Sequence, residues 1–164
     1  MLFGKISQQT AHIMNNKIFS QIVFSSGKSL EAIVMAMLYD KGLFKYDDHV
    51  AQYWPEFAQN GKEGIRICDI LRHESGMPYF TKSIPSFENA WKENIKQNKI
   101  GEFIEQQPAI FPEVDGIKFK REYHSFSRGM IINELVRRLH PEVYMIETIT
   151  YFYNIYTVFT EQNY

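Results

Sequence analysis

QIVFSSGKSLEAIVMAMLYDKGL, residues 21–43, sets a Ser-Ser-Gly-Lys-Ser cluster directly ahead of a long run almost free of charge. Three readings of Ser25 and Lys28 compete. A phosphate-cradling loop needs glycine, four residues, then Gly-Lys-Ser/Thr. Gly27-Lys28-Ser29 supplies the end, but the first position is Ile22, so the loop lacks the glycine that lets its amides curl around a phosphate. A nucleophile reading places Ser25-x-x-Lys28 on one face of a helix start, about 5–6 Å apart at Cβ. An apolar helix shielding the lysine disfavours its charged form and lets it take the serine proton, while the helix N-terminus adds a positive field for an oxyanion. The third reading is an N-cap serine beside a solvated lysine. Ten serines and twelve lysines give roughly 0.7 such spacings by chance, so the Ser-x-x-Lys pattern decides nothing alone. By itself it favours the N-cap.

Leu30, Ile33, Val34, Met37 and Leu38 recur at helical spacing, and Ala32, Met35 and Ala36 fill the other side. This predicts a helix over residues 28–41, buried nearly all round and stopped by Gly42. LFKYDDHVAQYWPEF (43–57) reads as a turn-rich connector. GIRICDILRHESGMP (64–78) gives a short β-like piece, then a short helix over 69–73 that Gly76 and Pro78 break in a tight turn. Residues 87–107 read as surface helices anchored by Ala90, Trp91, Ile95, Ile100, Phe103 and Ile104, and Pro108, Pro112 and Gly116 mark a loop. EYHSFSRGMIINELVRRLHP (122–141) predicts a helix over 126–139, stopped before Pro141. Beyond Glu142, YMIETITYFYNIYTVF is rich in β-branched and aromatic residues, a composition suited to a strand pair and prone to aggregate when exposed.

The 164 residues suffice for one domain with a sizeable core, and 45% hydrophobic with 23% charged residues points to a soluble globular chain. A net charge of −1 gives no electrostatic case for nucleic acid or an anionic membrane as partner. Cys68, the lone cysteine, excludes an internal disulfide and suits a reducing compartment. The opening MLFGKISQQTAH lacks the apolar core of a secretory signal, and AIVMAML (32–38) is too short to span a bilayer, so a cytoplasmic protein is expected. No His, Cys and acidic cluster has zinc-site spacing, and neither metal nor cofactor is expected.

The order of short motifs changes the weight of the opening stretch. Ser25-x-x-Lys28 is followed by Gly42-Leu43, Asp47-Asp48, Tyr53-Trp54-Pro55-Glu56-Phe57 and Ile70-Leu71-Arg72-His73-Glu74-Ser75-Gly76-Met77-Pro78. Over residues 21–139 the chain resembles the serine β-lactamase-like superfamily: class C β-lactamases, D-alanyl-D-alanine carboxypeptidases and related esterases. The resemblance implies an α+β fold of the β-lactamase/transpeptidase type. It implies Ser25 as nucleophile, Lys28 as its helper, and Tyr123, in Tyr123-His124-Ser125, as general acid/base. A small ester or amide is the implied substrate, processed through an acyl-serine. His124 is expected to shape the loop, and His73 to be a turn residue hydrogen-bonding locally.

The chain also departs from that pattern. The superfamily carries a Lys-Thr-Gly or His-x-Gly strand well after the tyrosine, whereas here no lysine follows Lys120 and no glycine follows Gly129. The missing strand would supply an oxyanion-hole amide. The expectation is a partial domain over residues 1–142, mostly helical with an incomplete central sheet, and a divergent tail over 143–164. A truncated, catalytically inactive relative stands as the alternative to a working hydrolase.

Overall fold

The computed structural model of the chain describes residues 24–86, 97–112 and 121–140. Within them lie four α-helices: α1 (Gly27–Asp40), α2 (Ile67–Leu71), α3 (Lys99–Gln106) and α4 (Ser127–Leu139). Short 3₁₀ turns occupy Phe24–Ser26, Val50–Gln52 and Pro55–Phe57. The described residues contain no strand. The β-like piece expected before α2 is reduced to one antiparallel bridge between His49 and Arg66: Val50 N–H and Ile67 N–H find the Ile65 and Asp48 carbonyls, but Asp48 N–H turns to the Lys45 carbonyl and Cys68 N–H to that of Tyr46, out of ladder register. The tail over 143–164 and the helices expected in 87–96 lie outside the described residues, as does Gly116.

Helix α1 closes where the sequence places its stop. Gly42, at φ +72°, donates to the Tyr39 carbonyl at 2.8 Å, and Leu43 N–H reaches the Leu38 carbonyl at 3.1 Å, the two bonds of a Schellman turn. Burial of α1 is the main correction to the sequence reading. Only Gly27, Glu31, Met35 and Leu38 are buried, a single stripe at helical spacing, while Ile33 is 55% and Met37 58% exposed. The helix meets α4 along that stripe, and among the described residues no element covers the opposite apolar face.

Helix α2 starts two residues earlier than expected. Asp69, at its third position, accepts the Arg66 backbone N–H at 2.9 Å and so fixes the first turn at Ile67. The core is shared by α1, α3, α4 and the connector: Met35, Trp54, Phe57, Ile104, Ile131 and Leu135 are fully enclosed. Trp54 anchors the connector to both later helices, donating through Nε1 to Glu105 at 2.7 Å under the Arg138 guanidinium, 4.1 Å above its ring. In the connector, Asp48 accepts the Tyr53 hydroxyl at 2.6 Å and the Lys45 N–H at 2.7 Å, which explains the spacing of Asp47-Asp48 and Tyr53.

Candidate active site

Ser25 sits in the 3₁₀ turn that runs directly into α1, and Lys28 lies three residues on, one turn up the same face. Tyr123 belongs to the extended lead into α4. Its hydroxyl donates to Ser25 Oγ at 2.6 Å. Lys28 Nζ donates to the Ser125 carbonyl at 2.8 Å and lies 4.9 Å over the Tyr123 ring. The structure thus brings together Ser25, Lys28 and Tyr123, although the tyrosine is 98 residues from the serine. This geometry departs from the N-cap reading. Ser26, not Ser25, holds the cap position and makes no side-chain cap bond, and the Lys28 ammonium is engaged with the Tyr123 segment.

The electrostatics of the trio lower the pKa of the phenol. The Ser25 hydroxyl, which can turn to donate to the phenolate, holds Tyr123 below its ordinary pKa; burial opposes this, and the Lys28 hydrogen bond and the Lys28 and Arg128 charges add to the lowering. A phenol so poised can carry a proton between Ser25 and a leaving group.

The turn after α2 holds the tyrosine segment in register. The His73 carbonyl accepts Glu122 N–H at 3.1 Å, and His73 Nδ1 accepts His124 N–H at 3.0 Å. Ser75 Oγ pairs with the fully buried His124 at Nε2, 2.8 Å away, and His124 Nδ1 faces the Glu122 carbonyl, so its proton resides on Nδ1. Glu74 receives Arg121, and Ser127 Oγ donates to the Met77 carbonyl at 2.6 Å. His73 is a turn residue with a local bond, as expected from sequence, but its bonding goes beyond the turn. Only its amide bonds nearby, to Ile70, while its carbonyl and ring reach across 49 and 51 residues. His124 shapes the loop. Two further residues escaped the sequence reading, Glu31 and Arg128, which pair in the buried seam between α1 and α4. Each sits on a helical face that reads as ordinary, so only their spatial meeting reveals them.

Among the described residues no group of three or more His, Cys, Asp or Glu side chains is placed to hold a metal, and no helix is long and apolar enough to cross a membrane.

Known proteins carry the same arrangement of elements. Residues 22–150 match the family described as Beta-lactamase. The esterase/beta-lactamase LipL of Mycobacterium tuberculosis (strain ATCC 25618 / H37Rv) is 30% identical over 116 residues, which is 71% of this chain and 24% of LipL. The crystal structure of a penicillin-binding protein homolog from Caulobacter crescentus superposes with a TM-score of 0.61 at 26% identity, over 76% of this chain and 32% of its own. A family VIII carboxylesterase gives a TM-score of 0.58 at 25% identity, over 79% of this chain and 32% of its own. The chain therefore spans about a quarter of the length of the curated relative it matches, 24%, and about a third of each structural relative, 32%.

Proposed function

The chain belongs to the beta-lactamase family, and from that footing we propose that it is a serine hydrolase that opens an ester or amide through an acyl-serine at Ser25. The observation that carries the reading is the 2.6 Å contact between the Tyr123 hydroxyl and Ser25 Oγ, with the Lys28 ammonium against the same ring. In the acylation step Ser25 Oγ bonds to the substrate carbonyl carbon and its proton passes to the Tyr123 phenolate, kept accessible by Lys28. Collapse of the tetrahedral intermediate breaks the bond to the alcohol or amine, which leaves with the proton from Tyr123. Water, deprotonated by the same phenolate, then releases the acid and restores Ser25.

A second reading is a catalytically inactive relative that keeps the same three side chains. In such a relative the loss of one oxyanion donor would cost ~10²–10³ in rate. The two readings share the nucleophile and differ in how fast it turns over.

The experiment is labelling with a fluorophosphonate probe and hydrolysis of a p-nitrophenyl ester, each compared with Ser25→Ala. Slow labelling confined to Ser25, abolished in the variant, is the expected result. Labelling that survives Ser25→Ala would sink the assignment of the nucleophile. Fast turnover dependent on Ser25 would remove the inactive reading, and no labelling at all would favour it.

A further inference from the structure

Helix α2 ends in a Schellman turn, with His73 N–H on the Ile70 carbonyl at 3.2 Å and Glu74 N–H on the Asp69 carbonyl at 2.7 Å. The turn requires a left-handed residue, and His73 holds φ +63° there. Glycine closes such a turn freely, whereas a residue bearing Cβ is strained there. The turn itself gives no reason for a histidine, so the ring has to answer to something else.

Its surroundings supply the reason. In an extended chain the amides of residues i and i+2 point to the same side. His73 takes both of the amides that flank Tyr123, Glu122 N–H with its carbonyl and His124 N–H with Nδ1. One residue thereby does the work of two consecutive acceptors on a neighbouring strand. Its ring also lies 5.0 Å from the Tyr123 ring. Nδ1 can accept only while unprotonated. Burial above all, then the charges of Arg128, His124, Lys28 and Arg121, lower His73 to about 4, so at neutral pH the ring carries a single proton, on Nε2.

We propose that His73 is the positioning residue for Tyr123: its imidazole Nδ1 stands in for a strand carbonyl and fixes the backbone from which the phenol reaches Ser25. The proposal rests on reading Tyr123 as the proton carrier, but it concerns the register of the segment and not the chemistry at Ser25.

The test uses the full chain, with amide hydrogen exchange read at Glu122 and His124. Titration of Tyr123 is followed in parallel through a ¹³Cζ-tyrosine label, its signal assigned with Tyr123→Phe. His73→Ala removes Nδ1 yet keeps the carbonyl. His73→Asn tolerates the left-handed turn and offers a side-chain oxygen in place of Nδ1. In His73→Ala, exchange at His124 should quicken by about tenfold, the worth of one hydrogen bond, with Glu122 little changed. Tyr123 should titrate closer to its ordinary value in the same variant, and His73→Asn should restore both signals toward wild type. Unchanged exchange at His124 in His73→Ala overturns the proposal. So does equal quickening at both amides in both variants, or a Tyr123 titration that does not move. Ser25 labelling is scored separately, and its absence counts against the hydrolase reading while leaving the exchange result intact.

Discussion

Glu31 of α1 and Arg128 of α4 form an ion pair with both side chains more than nine-tenths buried, joining the helix that follows Ser25 to the helix that follows Tyr123. Gly129 makes room for it: a Cβ there would stand 2.8 Å from Glu31 Oε1. The pair is tightly enclosed. Burial pushes the Glu31 carboxyl up against the pull of Arg128 and Lys28, and Arg128 Nε has no hydrogen-bond partner.

Such a pair is expected to specify geometry more than to add stability. Glu31→Gln leaves the Arg128 charge buried and uncompensated, and should cost about 3–5 kcal/mol in urea unfolding. The double substitution Glu31→Leu with Arg128→Met removes both charges and should cost less than Glu31→Gln alone. A double variant less stable than the single would show that the pair is net stabilising.

Gly76 and Gly42 share φ +72° and differ in what surrounds them. A Cβ at Gly76 would fall 2.1 Å from the Phe111 carbonyl oxygen, whereas one at Gly42 meets nothing within 4 Å. Gly76 also accepts the Ile110 and Phe111 amides through its own carbonyl, so the backbone there has little room to yield. Gly42→Ala should cost only the left-handed strain, about 1–2 kcal/mol. Gly76→Ala should cost clearly more, beyond about 3 kcal/mol, since backbone must move against backbone. Equal unfolding midpoints for the two variants would contradict this.

The contrast between these glycines marks what could be read in advance. Gly42 as a helix stop follows from periodicity ending at Leu38 and a glycine placed to close the turn. The Phe111 contact at Gly76 is long-range and leaves no local trace. Helix α4 was legible to within one residue, because Ile131, Ile132, Leu135 and Leu139 repeat at helical spacing and Pro141 bars continuation. Ser25 and Tyr123 were identified through ordered motifs, since neither periodicity nor spacing could join residues 98 apart. The role of His73 was hidden for a different reason. Sequence marks a turn by glycine and proline, and a histidine in the left-handed position carries neither signal.

The outer face of α1 shows where periodicity misled. Apolar residues all round the helix suggested burial all round, yet Met35 is enclosed while Ile33 and Met37 stand more than half exposed. Met35→Ala should therefore cost about 2–5 kcal/mol. Ile33→Glu and Met37→Lys should each change stability by less than about 0.5 kcal/mol, and should raise the protein concentration tolerated before aggregation. A large loss of stability in Ile33→Glu would mean that this face is covered in solution.

Lys62 supplies a prediction in pH. Its side chain is fully buried, with Nζ 2.8 Å from the Glu105 carbonyl, in contact with the Gln107 carbonyl, and 5.3 Å over the Phe57 ring. Burial above all, against the opposing charges of Glu63 and Glu105, lowers its pKa to about 8. The folded value lies below the unfolded one, so the folded state sheds this proton first. Stability from Lys62 is then full above the unfolded pKa of about 10.4 and is lost as pH falls through about 8. A neutral amine still donates two hydrogens, so both helix-end carbonyls stay satisfied after the proton leaves. Between pH 8 and 10 the wild-type chain should gain about 2 kcal/mol relative to Lys62→Met, which has no such proton to lose. Tyr53, pushed up to about 12 by burial and by Asp48, has the opposite slope and dominates above that window. Urea unfolding of both chains at pH 8, 9 and 10 measures the difference, and parallel stability profiles would show that Lys62 titrates normally in the folded protein.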